Sequence, residues 1–139
     1  MFLPDDGIHY LPGAGCGNLK EMISILIAGD KRFLVLLDND GEGRRARIMY
    51  ETYFGKSFSN NVFQYEGIGK KDADFMLENI LSPEDAQRMK DFTSCKDIKK
   101  AICELYFLDN RADYLSKVNE TTLRNFDIIS RKINNHFDN

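Results

Sequence analysis

Five apolar residues in a row, Phe33-Leu34-Val35-Leu36-Leu37, run directly into Asp38-Asn39-Asp40-Gly41-Glu42-Gly43 and then Arg44-Arg45-Ala46-Arg47. No other stretch constrains the fold as tightly. The run is too short for a helix of ordinary length and is closed by Asp and Gly. It therefore predicts a strand buried on both faces, as in a parallel sheet. The acids stand where that strand leaves the sheet.

Side chains alternate along a strand, so Asp38 and Asp40 share a side, with Cα atoms ~6.6 Å apart if the extended conformation continues. At roughly 6 Å and an effective dielectric of ~20 their carboxylates repel by about 3 kcal/mol, and a bound cation reverses that repulsion. With oxygen donors and neither His nor Cys beside them, the pair suits a hard ion, Mg²⁺ first and Mn²⁺ or Ca²⁺ next. A turn in which the Asp side chains cap backbone N–H groups accounts for the same pair about equally well. The neighbouring arginines favour the cation. Arg44, Arg45 and Arg47 crowd the start of the next predicted helix, where the helix dipole disfavours positive charge. Arginines beside a metal pocket and a helix N-terminus are what a phosphodiester substrate requires, because metal and guanidinium groups each take phosphate oxygens. At least one of the three reads as an ordinary solvated side chain.

A chain of 139 residues suffices for one domain that buries about two thirds of its unfolded surface. The net charge of −3 excludes a nucleic-acid binder that relies on bulk positive potential, so any such contact must be local and metal-assisted. Cys16, Cys95 and Cys103 are odd in number and form no C-x-x-C, which suggests neither a disulfide framework nor a zinc site. The first residues lack a basic segment followed by an apolar one, and no apolar run approaches membrane-spanning length. The expectation is a cytoplasmic protein without membrane association.

Taken in order, Gly7 to Leu11 predicts a first strand, and Pro12 to Gly17 a loop of unusual backbone angles. Its glycines match neither the dinucleotide fingerprint nor the phosphate loop, because Lys20 comes too late. Asn18 as cap with Glu21 opens a helix whose face is Leu19, Met22, Ile23 and Leu26 and whose stop is Gly29. The helix after the central strand turns Ala46, Met49, Tyr50 and Tyr53 inward and stops at Gly55. Asn61 to Tyr65 predicts a third strand. Strands alternating with helices imply an α/β domain with a largely parallel sheet, whose ligands gather at the carboxyl ends of the strands. Between Gly67 and Leu81, the residues Met76, Leu77, Ile80 and Leu81 suit a helix face. Asp72, Asp74 and Glu78 remain as further acids that can complete a metal site. Ser82-Pro83-Glu84-Asp85 is a strong helix start. Beyond it the chain reads as helical, with stripes at Ile98, Ala101, Ile102 and Leu105 and at Leu123, Phe126, Ile129, Ile133 and Phe137. The reading is an α/β core over 1–82 and a helical extension over 83–139 packed on it within the same domain.

An EF-hand loop starting at Asp38 fails at its twelfth position, which is Met49. A haloacid-dehalogenase-type phosphatase also opens with an apolar strand and Asp-x-Asp. Here, however, Glu42 replaces the usual Thr or Val, the motif is not in the first strand, and no later Asp pair ends a strand.

The order of elements resembles the Toprim (topoisomerase-primase) domain, and within it the nucleases of the OLD (overcoming lysogenization defect) family. The matching features begin with a Gly-rich turn and helix from Gly13 to Ala28 and an apolar strand ending in Asp-x-Asp-x-x-Gly (Asp38, Asp40, Gly43). A helix and a strand come next, then an acid in a Leu-Glu-x-x-Leu-like helix start (Leu77, Glu78, Leu81). The tail through Lys99 and Lys100 to Phe137 resembles the helical C-terminal part of that family's Toprim region. The resemblance implies a mostly parallel small sheet flanked by helices, and metal-dependent cleavage of nucleic acid, DNA ahead of RNA. It implies that Asp38 and Asp40 hold Mg²⁺ or Mn²⁺ with Glu78 as a further ligand, that Arg44 and Arg45 bind phosphate, and that Lys100 acts at the scissile phosphate.

Toprim domains begin with a strand ending in a Glu that serves as metal ligand or general acid/base. Neither Glu21 nor Asp5-Asp6 replaces it. The OLD family also carries an N-terminal ATPase domain. The expected partners are therefore nucleic acid together with an ATPase domain or another chain that supplies the missing strand. A non-catalytic remnant that binds metal or a partner through the same surface is the alternative from a different class.

Overall fold

The computed structural model describes Gly15, residues 17–65, Ile68 and residues 74–138. The predicted strand at Gly7 to Leu11, most of the Gly-rich loop and Asp72 lie outside the described residues. The chain divides into two units, Met1–Met76 with Ile129–Asn139, and Leu77–Ile128.

In the first unit, the apolar run forms strand β1 (Val35–Leu37), and the predicted third strand forms β2 (Val62–Gln64). They pair in parallel in the register Val35↔Val62, Leu36↔Phe63, Leu37↔Gln64. The fold is thus α/β with a small parallel sheet. An isolated antiparallel bridge joins Asn39 to Phe75 just past the end of β1. Helix α1 (Lys20–Ala28) precedes β1; helix α2 (Gly41–Phe54) and a 3-10 segment, Lys56–Asn61, connect the two strands. Ile23, Val35, Leu37, Ala46, Tyr50 and Phe58 form the core, with Leu19, Phe33, Phe54 and Val62 packed against it.

Two local details differ from the sequence reading. Asn18 does not cap α1. The cap residue is Leu19, and its N–H is satisfied by a tertiary bond to the Tyr50 hydroxyl at 3.0 Å. The buried face of α2 runs through Gly43, Ala46 and Tyr50 with Phe54 partly covered, while Met49 and Tyr53 on its flank are 42% and 58% exposed. Tyr53 receives the Lys20 ammonium over its ring, 3.5 Å from the centroid, so its apolar area is used by a cation. Gly55 ends α2 as expected and adopts φ +95°, a conformation that L side chains rarely enter.

The helix predicted between Gly67 and Leu81 is, among the described residues, one 3-10 turn at Leu77–Ile80. Both backbone groups of Phe75 are taken by Asn39, which keeps that segment extended. Pro83 then holds Ser82 in the extended region (φ −62°, ψ 156°), which leaves room for a single turn.

Helices α3 (Pro83–Thr93), α4 (Ile98–Phe107), α5 (Arg111–Leu115) and α6 (Glu120–Asp138) complete the chain. Ser82 accepts from the Asp85 N–H at 3.1 Å to cap α3, and Asp97 accepts from the Lys100 N–H at 2.9 Å to cap α4. Leu81, Met89, Ala101, Leu105 and Tyr114 make the core of the second unit. The stripe predicted for α6 is half right: Ile129 and Ile133 are buried, whereas Leu123 and Phe126 are exposed and Thr122 and Asn125 are buried instead. The Thr122 hydroxyl accepts from the Ser82 N–H at 2.8 Å and donates to Asp85 at 2.6 Å, and Asn125 donates to the Ile80 carbonyl at 3.0 Å. Those bonds decide which face turns inward. Among the described residues no helix is long and apolar enough to cross a membrane.

Candidate functional site

The site is built where β1 ends. The Leu37 carbonyl still accepts from the Tyr65 N–H at 3.3 Å, and the chain then leaves the ladder. The Asp38 carbonyl accepts from Gln64 Nε2 at 3.1 Å. The N–H of the same peptide group, that of Asn39, donates to the Phe75 carbonyl at 2.8 Å, and the Asn39 carbonyl accepts from the Phe75 N–H at 2.9 Å. Asp40 is extended and caps α2, its Oδ1 accepting from the Gly43 N–H at 2.7 Å. Both Asp38 and Asp40 are half-buried.

Gly43 explains the spacing of the motif. A Cβ at this position would lie 1.9 Å from the Asp38 carbonyl oxygen and 2.9 Å from its carbon, inside any real contact distance. The first turn of α2 therefore rests on the backbone of Asp38. Asp-x-Asp-x-x-Gly is one mechanical piece: a strand end, a cap and the helix turn that packs on both.

Tyr65, the residue after β2, is buried, and its hydroxyl is pushed up to about 12, first by burial and then by the negative charge of Asp38. It stays neutral beside the acid.

Arg44 is exposed and reaches across to Asp74, Nη2 to Oδ1 at 2.9 Å, while its Nη1 donates to the Asn39 carbonyl and side chain at 3.3 Å each. Asp74, an acid available for metal in the sequence reading, thus pairs with a predicted phosphate-binding arginine. Arg45 is exposed on α2. Arg47 pairs with Glu51 one turn on at 2.9 Å, the ordinary helix-surface role expected of at least one of the three.

The other two predicted site residues belong to the second unit. Glu78 is the second residue of the 3-10 turn, with Oε1 3.6 Å from Lys99 Nζ and Oε2 buried without a hydrogen-bond partner. Lys100 is exposed in the first turn of α4. The structure therefore brings Asp38, Asp40, Arg44 and Arg45 together at one strand end, and describes Glu78 and Lys100 within the other unit. Among the described residues no three His, Cys, Asp or Glu side chains gather as a metal-binding group.

Sequence reasoning did not single out Gln64 or Tyr65. The available signal was a polar residue closing an otherwise apolar strand. It also missed Asp85, read only as part of a helix start. Asp85 is buried: Oδ2 accepts from the Asn119 N–H at 3.0 Å and from Thr122, and Oδ1 pairs with Arg88 at 2.7 Å. Its carbonyl accepts from the Tyr114 hydroxyl at 2.9 Å, a phenol pushed up by burial and then by the Asp85 charge. These bonds fasten the N-terminus of α6 to that of α3. With both oxygens taken, Asp85 is a structural staple.

No protein-family model, curated protein or solved structure matches the chain.

Proposed function

We propose that the chain is the Toprim-like part of a metal-dependent nuclease that cleaves phosphodiester bonds in DNA, or next RNA, as in OLD-type endonucleases. One observation carries the reading: two half-buried carboxylates stand at the carboxyl end of a parallel strand, over a helix turn that only glycine admits. The donor set fits Mg²⁺ or Mn²⁺, being all oxygen, and Asp40 keeps Oδ2 outside its capping bond. Asp38 and Asp40 hold the ion. Held there, the ion would supply Lewis-acid polarisation of a phosphate and activation of a water. Arg44 and Arg45, at the start of α2, take non-bridging phosphate oxygens. Arg44 does so by exchanging its exposed pair with Asp74, which is worth little in water. A complete Toprim site of this type also uses a Glu-bearing strand, and an ATPase domain or another chain is the partner the reading proposes beside nucleic acid.

The test is cleavage of plasmid DNA and RNA oligonucleotides in Mn²⁺ by wild type and by the double variant Asp38→Asn plus Asp40→Asn. Loss of cleavage in the variant supports the nuclease; undiminished cleavage removes the site.

A second reading has its own support. Asp40 Oδ1 is spent on the helix cap and Arg44 on Asp74, as in a surface that needs no substrate. Mn²⁺ binding without cleavage of any nucleic acid assigns the chain to that non-catalytic class.

A further inference from the structure

β2 reads Val62, Phe63, Gln64, and the glutamine is the residue out of place. It sits opposite Leu37 in the register and is 4% exposed, where an aliphatic side chain is the ordinary choice. Burying a primary amide is costly unless it is hydrogen-bonded. Gln64 spends its Nε2 on the main-chain oxygen of Asp38, at 3.1 Å.

That oxygen belongs to the peptide group that joins Asp38 to Asn39, and the N–H of the same group donates to the Phe75 carbonyl at 2.8 Å. The peptide plane is thereby held at both ends, by a side chain from β2 and by the backbone of Phe75. Rotation of that plane changes ψ of Asp38 and φ of Asn39, the torsions lying between the two carboxylates. Gly43 lies against the same oxygen from the α2 side, where a Cβ would come within 1.9 Å of it.

We propose that Gln64 is a positioning residue for the Asp38–Asp40 pair: by fixing the peptide plane between them, it sets the separation and direction of the carboxylates that receive the cation. The inference rests on the metal-binding reading of that pair and adds a residue 26 positions away that acts on it through the backbone. Partners of this kind behind metal ligands change affinity by about ten- to a hundredfold when removed.

The experiment is calorimetric titration of the whole chain with Mn²⁺, for wild type and for Gln64→Met, which keeps the length and removes the donor. The circular dichroism of the variant is recorded alongside. The expected result is a wild-type spectrum with Mn²⁺ binding about tenfold weaker. Wild-type affinity in Gln64→Met overturns the proposal. Should the variant unfold, the wild type answers by NMR: on titration with Mg²⁺, the Gln64 side-chain NH₂ signals shift with the same midpoint as the Asp38 and Asp40 amides. Side-chain signals that stay fixed while those amides move overturn it. A wild type that binds neither ion removes the metal reading itself and this inference with it, an outcome distinct from equal binding by both proteins.

Discussion

Asp40 caps a helix with one oxygen, and the proposed function gives the other to a cation; substitution separates the two roles. Asp40→Ser keeps a capping oxygen and lowers stability by only a few tenths, about 0.3 kcal/mol, whereas Asp40→Ala loses the bond to the Gly43 N–H and costs about 1 kcal/mol. Both variants lose Mn²⁺ binding if the carboxylate is a ligand; urea unfolding and calorimetry together read the difference. Tyr65 gives a second handle. Its folded pKa of about 12 stands above the unfolded value, so the folded state keeps a proton that the unfolded state releases. Stability is fully present below about pH 10 and declines as pH rises to about 12, and Tyr65→Phe flattens that decline in chemical unfolding at each pH. Asp38, Asp40 and Gly43 were legible because their chemistry is packed into six consecutive residues. Gln64 and Tyr65 were not, because a bond made across two strands leaves no local pattern, and a lone polar residue at a strand end has many ordinary explanations.

Among the elements, β1, β2, α2 and the Ser82-Pro83 start of α3 follow from short-range signals: an apolar run, a glycine stop, and a cap followed by proline. The errors share a cause. Periodicity locates an apolar stripe but does not say that the stripe wins, and in α6 it loses to Thr122 and Asn125, whose hydrogen bonds satisfy Ser82, Asp85 and Ile80. The segment before Ser82 departs from its helical pattern because the Asn39–Phe75 bridge holds it extended, a contact 36 residues long. Thr122→Val keeps the shape but leaves the buried Ser82 N–H without its acceptor and Asp85 Oδ2 with one donor fewer, and it is expected to cost about 2 kcal/mol. Leu123→Ser, at the position the pattern favoured, is expected to change stability by less than about 0.5 kcal/mol. Parallel urea titrations of the two variants check the contrast.

For the molecule as a whole, the α/β class was readable from the alternation of elements. The sequence reading separates a core over 1–82 from a helical extension over 83–139, the two compact units part at Met76 and Leu77 with Ile129–Asn139 in the first, and no linker-like composition marks the division. A net charge of −3 supplies no bulk attraction to nucleic acid, and the proposed function makes Arg44 and Arg45 its phosphate contacts. The logarithm of the nucleic-acid association constant should then fall against the logarithm of salt concentration with a slope of about −2, from two neutralised phosphates. Fluorescence anisotropy across a salt series measures it, and a slope several times steeper would mean that a basic surface other than these two arginines makes the contact.

The packing of Gly43 on Asp38 also sets what random mutation can do to this chain. Any single-base change of a glycine codon that alters the residue either ends translation or installs a side chain. At position 43 every such side chain begins 1.9 Å from the Asp38 oxygen, whereas at Gly41 an added Cβ meets nothing within 4 Å. A saturation library sorted for folded protein should therefore retain many residues at 41 and glycine alone at 43, two codons apart on the same turn.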